Sequence, residues 1–76
     1  MSGPSIRVTR DFYAIRVFIN DLLHVYVKTE RLLGVHSWIK PQLAIEYVFE
    51  NGGLLRTDYD NREKFDLILC GLEGVL

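Results

Sequence analysis

The stretch LAIEYVFENGGLLRTDY, residues 43–59, decides the fold of this chain. Apolar and polar side chains alternate along residues 43–50, and a period of two is typical of a strand with one buried face. The pair Asn51-Gly52 follows, which is a strong hairpin signal. A second strand-like run covers residues 54–59. We therefore predict a β-hairpin with a three-residue loop over residues 51–53 and a glycine bulge.

The loop length decides which side chains share a face of the hairpin. A two-residue loop would mix Arg56 into the apolar face, whereas a three-residue loop keeps the two kinds of side chain apart. The predicted cross-strand pairs are Phe49–Leu55, Tyr47–Thr57 and Ile45–Tyr59. The charged side chains that then collect on the other face are Glu46, Glu50, Arg56 and Asp58.

The residues after the hairpin have the pattern of an amphipathic helix. Asp60 and Glu63 have the spacing of a capping box. Apolar side chains then recur along one stripe, which should lie on the sheet. They are Phe65, Ile68, Leu69, Leu72 and Leu76. Gly71 and Gly74 weaken the final turns, so we expect regular helix to fray after Cys70.

Residues 11–33 allow two interpretations. As a helix, the segment has an apolar side opposite a polar side, with Gly34 as its C-cap. As two strands, it has nine β-branched or aromatic residues among the seventeen from Phe12 to Lys28, interrupted by the turn pair Asn20-Asp21. We favour strands joined by a three-residue turn. The apolar face would then hold Tyr13, Ile15, Val17, Ile19, Leu23, Val25 and Val27. The other face would hold Arg16, Phe18, His24, Tyr26 and Lys28.

A further strand over residues 34–40 would end at Pro41. The predicted fold class is α+β: an antiparallel meander of about five strands, with two hairpins and one C-terminal helix packed on one face. The alternative is a long helix over residues 11–33 followed by the hairpin and the C-terminal helix. In both, residues 1–5 form a flexible tail and residues 6–76 a single domain.

Composition narrows the class of protein. The chain has 76 residues, a net charge of −1 and 49% hydrophobic residues, which excludes an intrinsically disordered protein. Its apolar runs are far shorter than a membrane span, and no secretory signal is recognisable. Cys70 is the only cysteine, so no intrachain disulfide can form. We expect a soluble protein in a reducing compartment, the cytoplasm.

No set of residues points to catalysis. His24 and His36 are twelve positions apart and have no metal-site spacing. Cys70 would lie late in the helix, at the negative end of the dipole, and not in the electropositive setting that a cysteine nucleophile needs. The loop at residues 51–53 lacks the lysine and the following helix of a phosphate-binding loop. We predict a protein that is not an enzyme and has no metal or cofactor.

The strand interpretation predicts an uncovered aromatic face. If the helix covers one side of the sheet, the other side exposes more apolar area than a monomer normally leaves in water. Its residues are Phe18, Tyr26, Trp38, Val48 and Leu54. We therefore expect a homodimer or a complex with a partner protein. If residues 11–33 were a helix instead, that helix would cover this face.

Basic side chains on the same face suggest an alternative. Arg16, Lys28 and Lys40 would share it with the aromatic rings, a combination that binds single-stranded nucleic acid. Charge is uneven: residues 1–40 carry six basic and three acidic residues, and residues 41–76 carry three and seven. In a single sheet, Glu46, Glu50 and Asp58 would extend this face and repel phosphate. Protein interaction is therefore the leading hypothesis.

Overall fold

Six antiparallel strands precede one helix in the computed structural model, which describes residues 3–76. The strands are β1 (Ile6–Arg10), β2 (Ala14–Ile19), β3 (Leu22–Lys28), β4 (Leu32–Trp38), β5 (Leu43–Phe49) and β6 (Leu54–Tyr59), and the helix is α1 (Arg62–Val75). Sheet 1 has the order β1-β2-β3 and sheet 2 the order β4-β5-β6. The α+β class is confirmed, but the strand count and the single sheet were wrong. No helix within residues 3–76 has the length and apolar content to cross a bilayer.

The additional strand is β1. It pairs with β2 from Ile6 opposite Ile19 to Arg10 opposite Ile15. Of the predicted tail, Met1 and Ser2 lie outside the described residues. Ser5 forms two hydrogen bonds with Asn20. The Asn20 amide donates to the Ser5 carbonyl at 2.8 Å, and the Ser5 amide donates to the Asn20 side-chain oxygen at 3.0 Å. These bonds connect Ser5, which precedes β1, to Asn20, the first residue of the turn between β2 and β3.

The helical interpretation of residues 11–33 is wrong, because this segment forms β2 and β3. Asn20 and Asp21 have φ angles of 51° and 66°, which are those of a two-residue hairpin turn that favours Asn and Asp. The predicted three-residue turn is therefore replaced by a shorter one. A register shift next to Val17 then places Val17 opposite Val25 and leaves His24 as the extra residue of a bulge.

The second hairpin has the predicted loop type one residue earlier than expected. The Phe49 amide donates to the Gly53 carbonyl and the Gly52 amide to the Phe49 carbonyl, both at 3.0 Å. Gly52 has a φ of 83°, the left-handed conformation of a glycine bulge. Tyr47 therefore pairs with Leu55 rather than Thr57. This shift of two residues preserves the faces, because side chains alternate with a period of two.

The turn between β3 and β4 divides the predicted meander. The Leu32 amide donates to the Thr29 carbonyl at 3.1 Å, and Arg31 adopts a φ of 63°. The Arg31 carbonyl accepts from the Glu50 amide at 2.8 Å, so this corner is joined to the second hairpin. Because β3 and β4 do not pair beyond the corner, β3 ends one sheet and β4 begins the other. β4 also begins two residues earlier than predicted, at Leu32.

A single core joins the two sheets and the helix. The buried side chains are Ile15, Val17, Val25 and Val27 from sheet 1, Ile45, Tyr47 and Tyr59 from sheet 2, and Phe65, Ile68 and Leu72 from α1. The N-cap of the helix is Asn61 and not Asp60: its side chain accepts from the Lys64 amide at 2.9 Å. The helix does not fray after Cys70 but continues to Val75, where the Arg10 side chain donates to the carbonyl at 2.8 Å.

Gly71 seats the helix against β1. A Cβ added at Gly71 would lie 2.5 Å from Val8 Cγ2, whereas one added at Gly74 would meet nothing within 4 Å. We expect Gly71→Ala to lower the free energy of unfolding by about 1–3 kcal/mol through overpacking. The control Gly74→Ala should raise it by up to about 1 kcal/mol, because alanine favours helix. Urea unfolding followed by circular dichroism measures both, and equal gains would contradict this packing.

Candidate interaction surfaces

The structure distributes the predicted aromatic face over both sheets. Phe18 and Tyr26 lie on the outer side of sheet 1, since their neighbours in sequence, Val17 and Val25, are buried in the core. The other three predicted residues lie on the outer side of sheet 2; they are Trp38, Val48 and Leu54. The five residues therefore form two surfaces and not one.

The first surface combines arginines with aromatic rings. Arg7 is opposite Phe18 and Arg16 is opposite Tyr26. The guanidinium carbon of Arg7 lies 4.1 Å from the centre of the Phe18 ring, and that of Arg16 lies 5.0 Å from the centre of the Tyr26 ring. Lys28, opposite Ala14, adds a third cation. We call these five residues, Arg7, Arg16, Phe18, Tyr26 and Lys28, the basic face.

The second surface is apolar with acidic side chains. Trp38 stacks on His36, with ring centres 5.8 Å apart and planes at 18°. Arg56 forms ion pairs with Glu46 at 3.1 Å and Asp58 at 2.8 Å, which leaves one net negative charge among the three. We call the six residues Trp38, Glu46, Val48, Leu54, Arg56 and Asp58 the tryptophan face.

A third apolar feature, which the sequence prediction missed, lies in the turn between β1 and β2. Phe12 is 85% exposed and Tyr13 is 71% exposed, and their rings meet edge to face with centres 5.1 Å apart. Tyr13 was predicted on the buried face, but β2 begins only at Ala14. The two rings line a groove of about 670 Å³ together with Tyr26, Lys28, Thr29 and Glu30.

Hydrogen bonds hold this turn in place. The Asp11 carboxylate accepts from the amides of Tyr13 at 2.8 Å and Ala14 at 2.9 Å, and it forms an ion pair with Arg16 at 2.7 Å. The Arg16 hydrogen bond and these amides lower the pKa of Asp11. The Thr29 hydroxyl donates to the Phe12 carbonyl at 2.9 Å. The aspartate before two aromatic residues was the sequence signal for this turn, because Asp side chains commonly accept from the amides that follow.

The residues predicted to contact nucleic acid do not all meet. Arg16 and Lys28 belong to the basic face, whereas Lys40 follows β4 in sheet 2, next to Pro41. Glu46 and Asp58 also belong to sheet 2. The prediction that these acidic residues extend the face of Arg16 and Lys28 was therefore wrong, because they lie in a different sheet.

His24 forms a polar contact between the sheets. Because it is the bulge residue, it leaves the outer face on which it was predicted and lies 2.8 Å, through Nε2, from the Tyr59 hydroxyl. The Thr57 hydroxyl donates to the same Tyr59 oxygen at 3.0 Å. The proton of Tyr59 is then available for His24 Nε2, which accepts it as a neutral imidazole. The nearby Tyr47 hydroxyl is buried and has no partner among residues 3–76.

This contact predicts a pH dependence. Burial, and then the charge of Lys64, lower the pKa of His24 below its usual 6.5. As the pH falls through 6.5, the unfolded chain binds this proton before the folded chain does, so stability decreases until the lower folded pKa is passed. We expect the melting temperature to fall over this range and the fall to be smaller in His24→Gln.

The matched control is His36→Gln, which leaves the His24–Tyr59 contact in place. Thermal unfolding of the three proteins across the pH series measures the effect. A His24→Gln protein with the full decrease of the wild type would show that His24 does not cause it.

A cluster of metal-ligating side chains is absent from residues 3–76. No group of three His, Cys, Asp or Glu side chains comes together there in a way that could hold a metal ion. Cys70 is exposed on α1. No protein-family model, no curated protein and no solved structure matches the chain significantly.

Proposed function

We propose that the protein is a small interaction module without enzymatic activity, which associates with itself or with a partner protein through its aromatic sheet surfaces. It would act as an accessory subunit or a small regulator, and its single cysteine suits a reducing cytoplasm. The observation that carries the proposal is the exposure of Tyr26, Trp38 and Leu54, at 43%, 42% and 58%, although all three belong to hydrogen-bonded strands.

Exposure on a strand favours binding for an energetic reason. Tyrosine, tryptophan and arginine most often dominate the binding energy of interfaces. The backbone of a paired strand is already ordered, so no backbone ordering has to be offset by the interaction energy on binding. The Phe12-Tyr13 turn adds two rings that hydrogen bonds to Asp11 and Thr29 already orient.

The solution mass tests this proposal first. Light scattering over a concentration series, with reductant present because Cys70 is exposed, should show a mass that rises above 8.8 kDa. A mass of 8.8 kDa at every concentration would exclude self-association. The remaining route would then be a partner protein, whose capture must depend on Tyr26 and Trp38.

A second candidate is the binding of single-stranded nucleic acid by the basic face. The stacked pairs Arg7–Phe18 and Arg16–Tyr26 support it, as does the placement of Glu46 and Asp58 on the other sheet. Fluorescence anisotropy with labelled oligonucleotides should then show an affinity that falls steeply as salt is raised. An absence of binding in the micromolar range at low salt would contradict it.

A further inference from the structure

We propose that the partner is a second copy of the chain, docked head to tail, so that the basic face of one copy covers the tryptophan face of the next. This inference rests on the proposed function and specifies its partner. The two faces belong to different sheets of the same chain, so each copy presents one of each.

Charge complementarity carries the inference. The strands β1, β2 and β3 contain no acidic residue. The basic face carries three cations, and among residues 3–76 only Arg16 of these three forms an ion pair, with Asp11. The tryptophan face carries Glu46 and Asp58 against Arg56 alone. Surfaces of opposite charge meet only when the basic face of one copy contacts the tryptophan face of another.

The symmetric alternatives bring like charges together. Two basic faces in contact would place Arg7, Arg16 and Lys28 of one copy against the same three cations of the other, and such contacts are strongly disfavoured. Two tryptophan faces would oppose two Glu46–Arg56–Asp58 clusters, each of which carries one net negative charge. The crossed arrangement also places the Tyr26 and Phe18 rings against Trp38 and Leu54, which removes apolar area from water on both sides.

The area of each face and the head-to-tail geometry determine the strength of the association and the mass expected in solution. Three strands spaced about 4.8 Å apart, with about six residues at 3.3 Å each, give a flat area of roughly 280 Å² per face. An interface of this size belongs to the weak, concentration-dependent class. A head-to-tail contact does not end at two copies, so the mass should increase through successive multiples of 8.8 kDa.

Two charge-inverted variants test the arrangement. R7E/K28E changes the basic face from three cations to one cation and two anions, and it leaves the Arg16–Asp11 pair intact. E46K/R56E/D58K inverts the net charge of the tryptophan face. The new carboxylate at position 56 can still pair with the new ammonium groups at positions 46 and 58, as Arg56 pairs with Glu46 and Asp58 in the wild type. Thermal unfolding checks that each variant is folded. If either is not, R7Q/K28Q and E46Q/D58N replace them as neutral versions, and each should weaken association.

Each inverted variant alone should remain at 8.8 kDa at concentrations where the wild type associates. An equimolar mixture should regain the higher mass, because an inverted basic face then meets an inverted tryptophan face. Wild-type association should also weaken at high salt. A wild type that is monomeric or stops at a dimer, a variant that associates alone, or a monomeric mixture would overturn the head-to-tail arrangement.

These failures differ from a failure of the proposed function. If Tyr26 and Trp38 are needed for association but charge inversion has no effect, the arrangement is wrong and the interaction module stands. If loss of both rings changes neither self-association nor capture of any partner protein, the proposed function is wrong as well.

Discussion

Replacing Tyr26 and Trp38 together by alanine is expected to abolish association over the concentration range in which the wild type associates. Truncating a central aromatic residue of an interface commonly costs about 2 kcal/mol or more, which is roughly a 30-fold weakening. In the head-to-tail arrangement the two rings lie at the same contact, so their losses should not simply add. Light scattering on wild type, each single variant and the double variant measures the effect.

The matched control is L67A/L76A. Leu67 and Leu76 are exposed to a similar degree, 40% and 54%, but they lie on and after α1 and belong to neither sheet face. This variant should keep the wild-type mass at each concentration. If it loses association as completely as Y26A/W38A does, general surface hydrophobicity and not the sheet faces would drive the association.

Replacing Phe65 by alanine is expected to have the largest effect on stability. Phe65 is 1% exposed, and its ring lies 6.1 Å from that of Tyr59, centre to centre, where α1 meets sheet 2. Truncation of a buried Phe costs about 3–5 kcal/mol through lost burial and the cavity that remains. A chain of this length has a net stability of roughly 4–11 kcal/mol, so much of it should disappear.

Urea unfolding followed by circular dichroism measures this loss, with Leu67→Ala as control. Leu67 follows Phe65 by two positions on the same helix but points away from the core, so its truncation should change stability by less than about 0.5 kcal/mol. Equal effects at the two positions would contradict the docking of α1 onto the core.

The second hairpin and the helix were the most predictable parts of the fold, because their signals are local. The alternation of residues 43–50 and the Asn51-Gly52 pair lie within a few positions of each other. The prediction misplaced the loop by one residue and the pairing by two, yet the division of faces was right. A shift of the strand register by one residue would bury the charged side chains and is therefore disfavoured. A shift by two residues leaves every side chain on its own face, so charge burial does not distinguish the two registers.

Other features depended on contacts between distant parts of the chain. β1 has only two apolar inner residues, Ile6 and Val8, and becomes a strand through β2 and α1. Gly71 does not end α1, and the absence of a side chain at this position makes room for Val8 of β1. His24 leaves its predicted face because a bulge next to Val17 turns it toward Tyr59.

For the candidate surfaces, the sequence predicted which residues face outward, but it did not predict which of them share a sheet. Period-two alternation assigns Phe18, Tyr26, Trp38, Val48 and Leu54 to outer faces, because each neighbours residues that must be buried. Alternation specifies the side of a strand but not whether consecutive strands pair. The turn from Thr29 to Leu32 ends that pairing, and it separates a basic surface from an acidic one. Composition and local periodicity thus determined the strands, the helix and the outward residues, whereas the division into two oppositely charged faces was decided by long-range packing around one core.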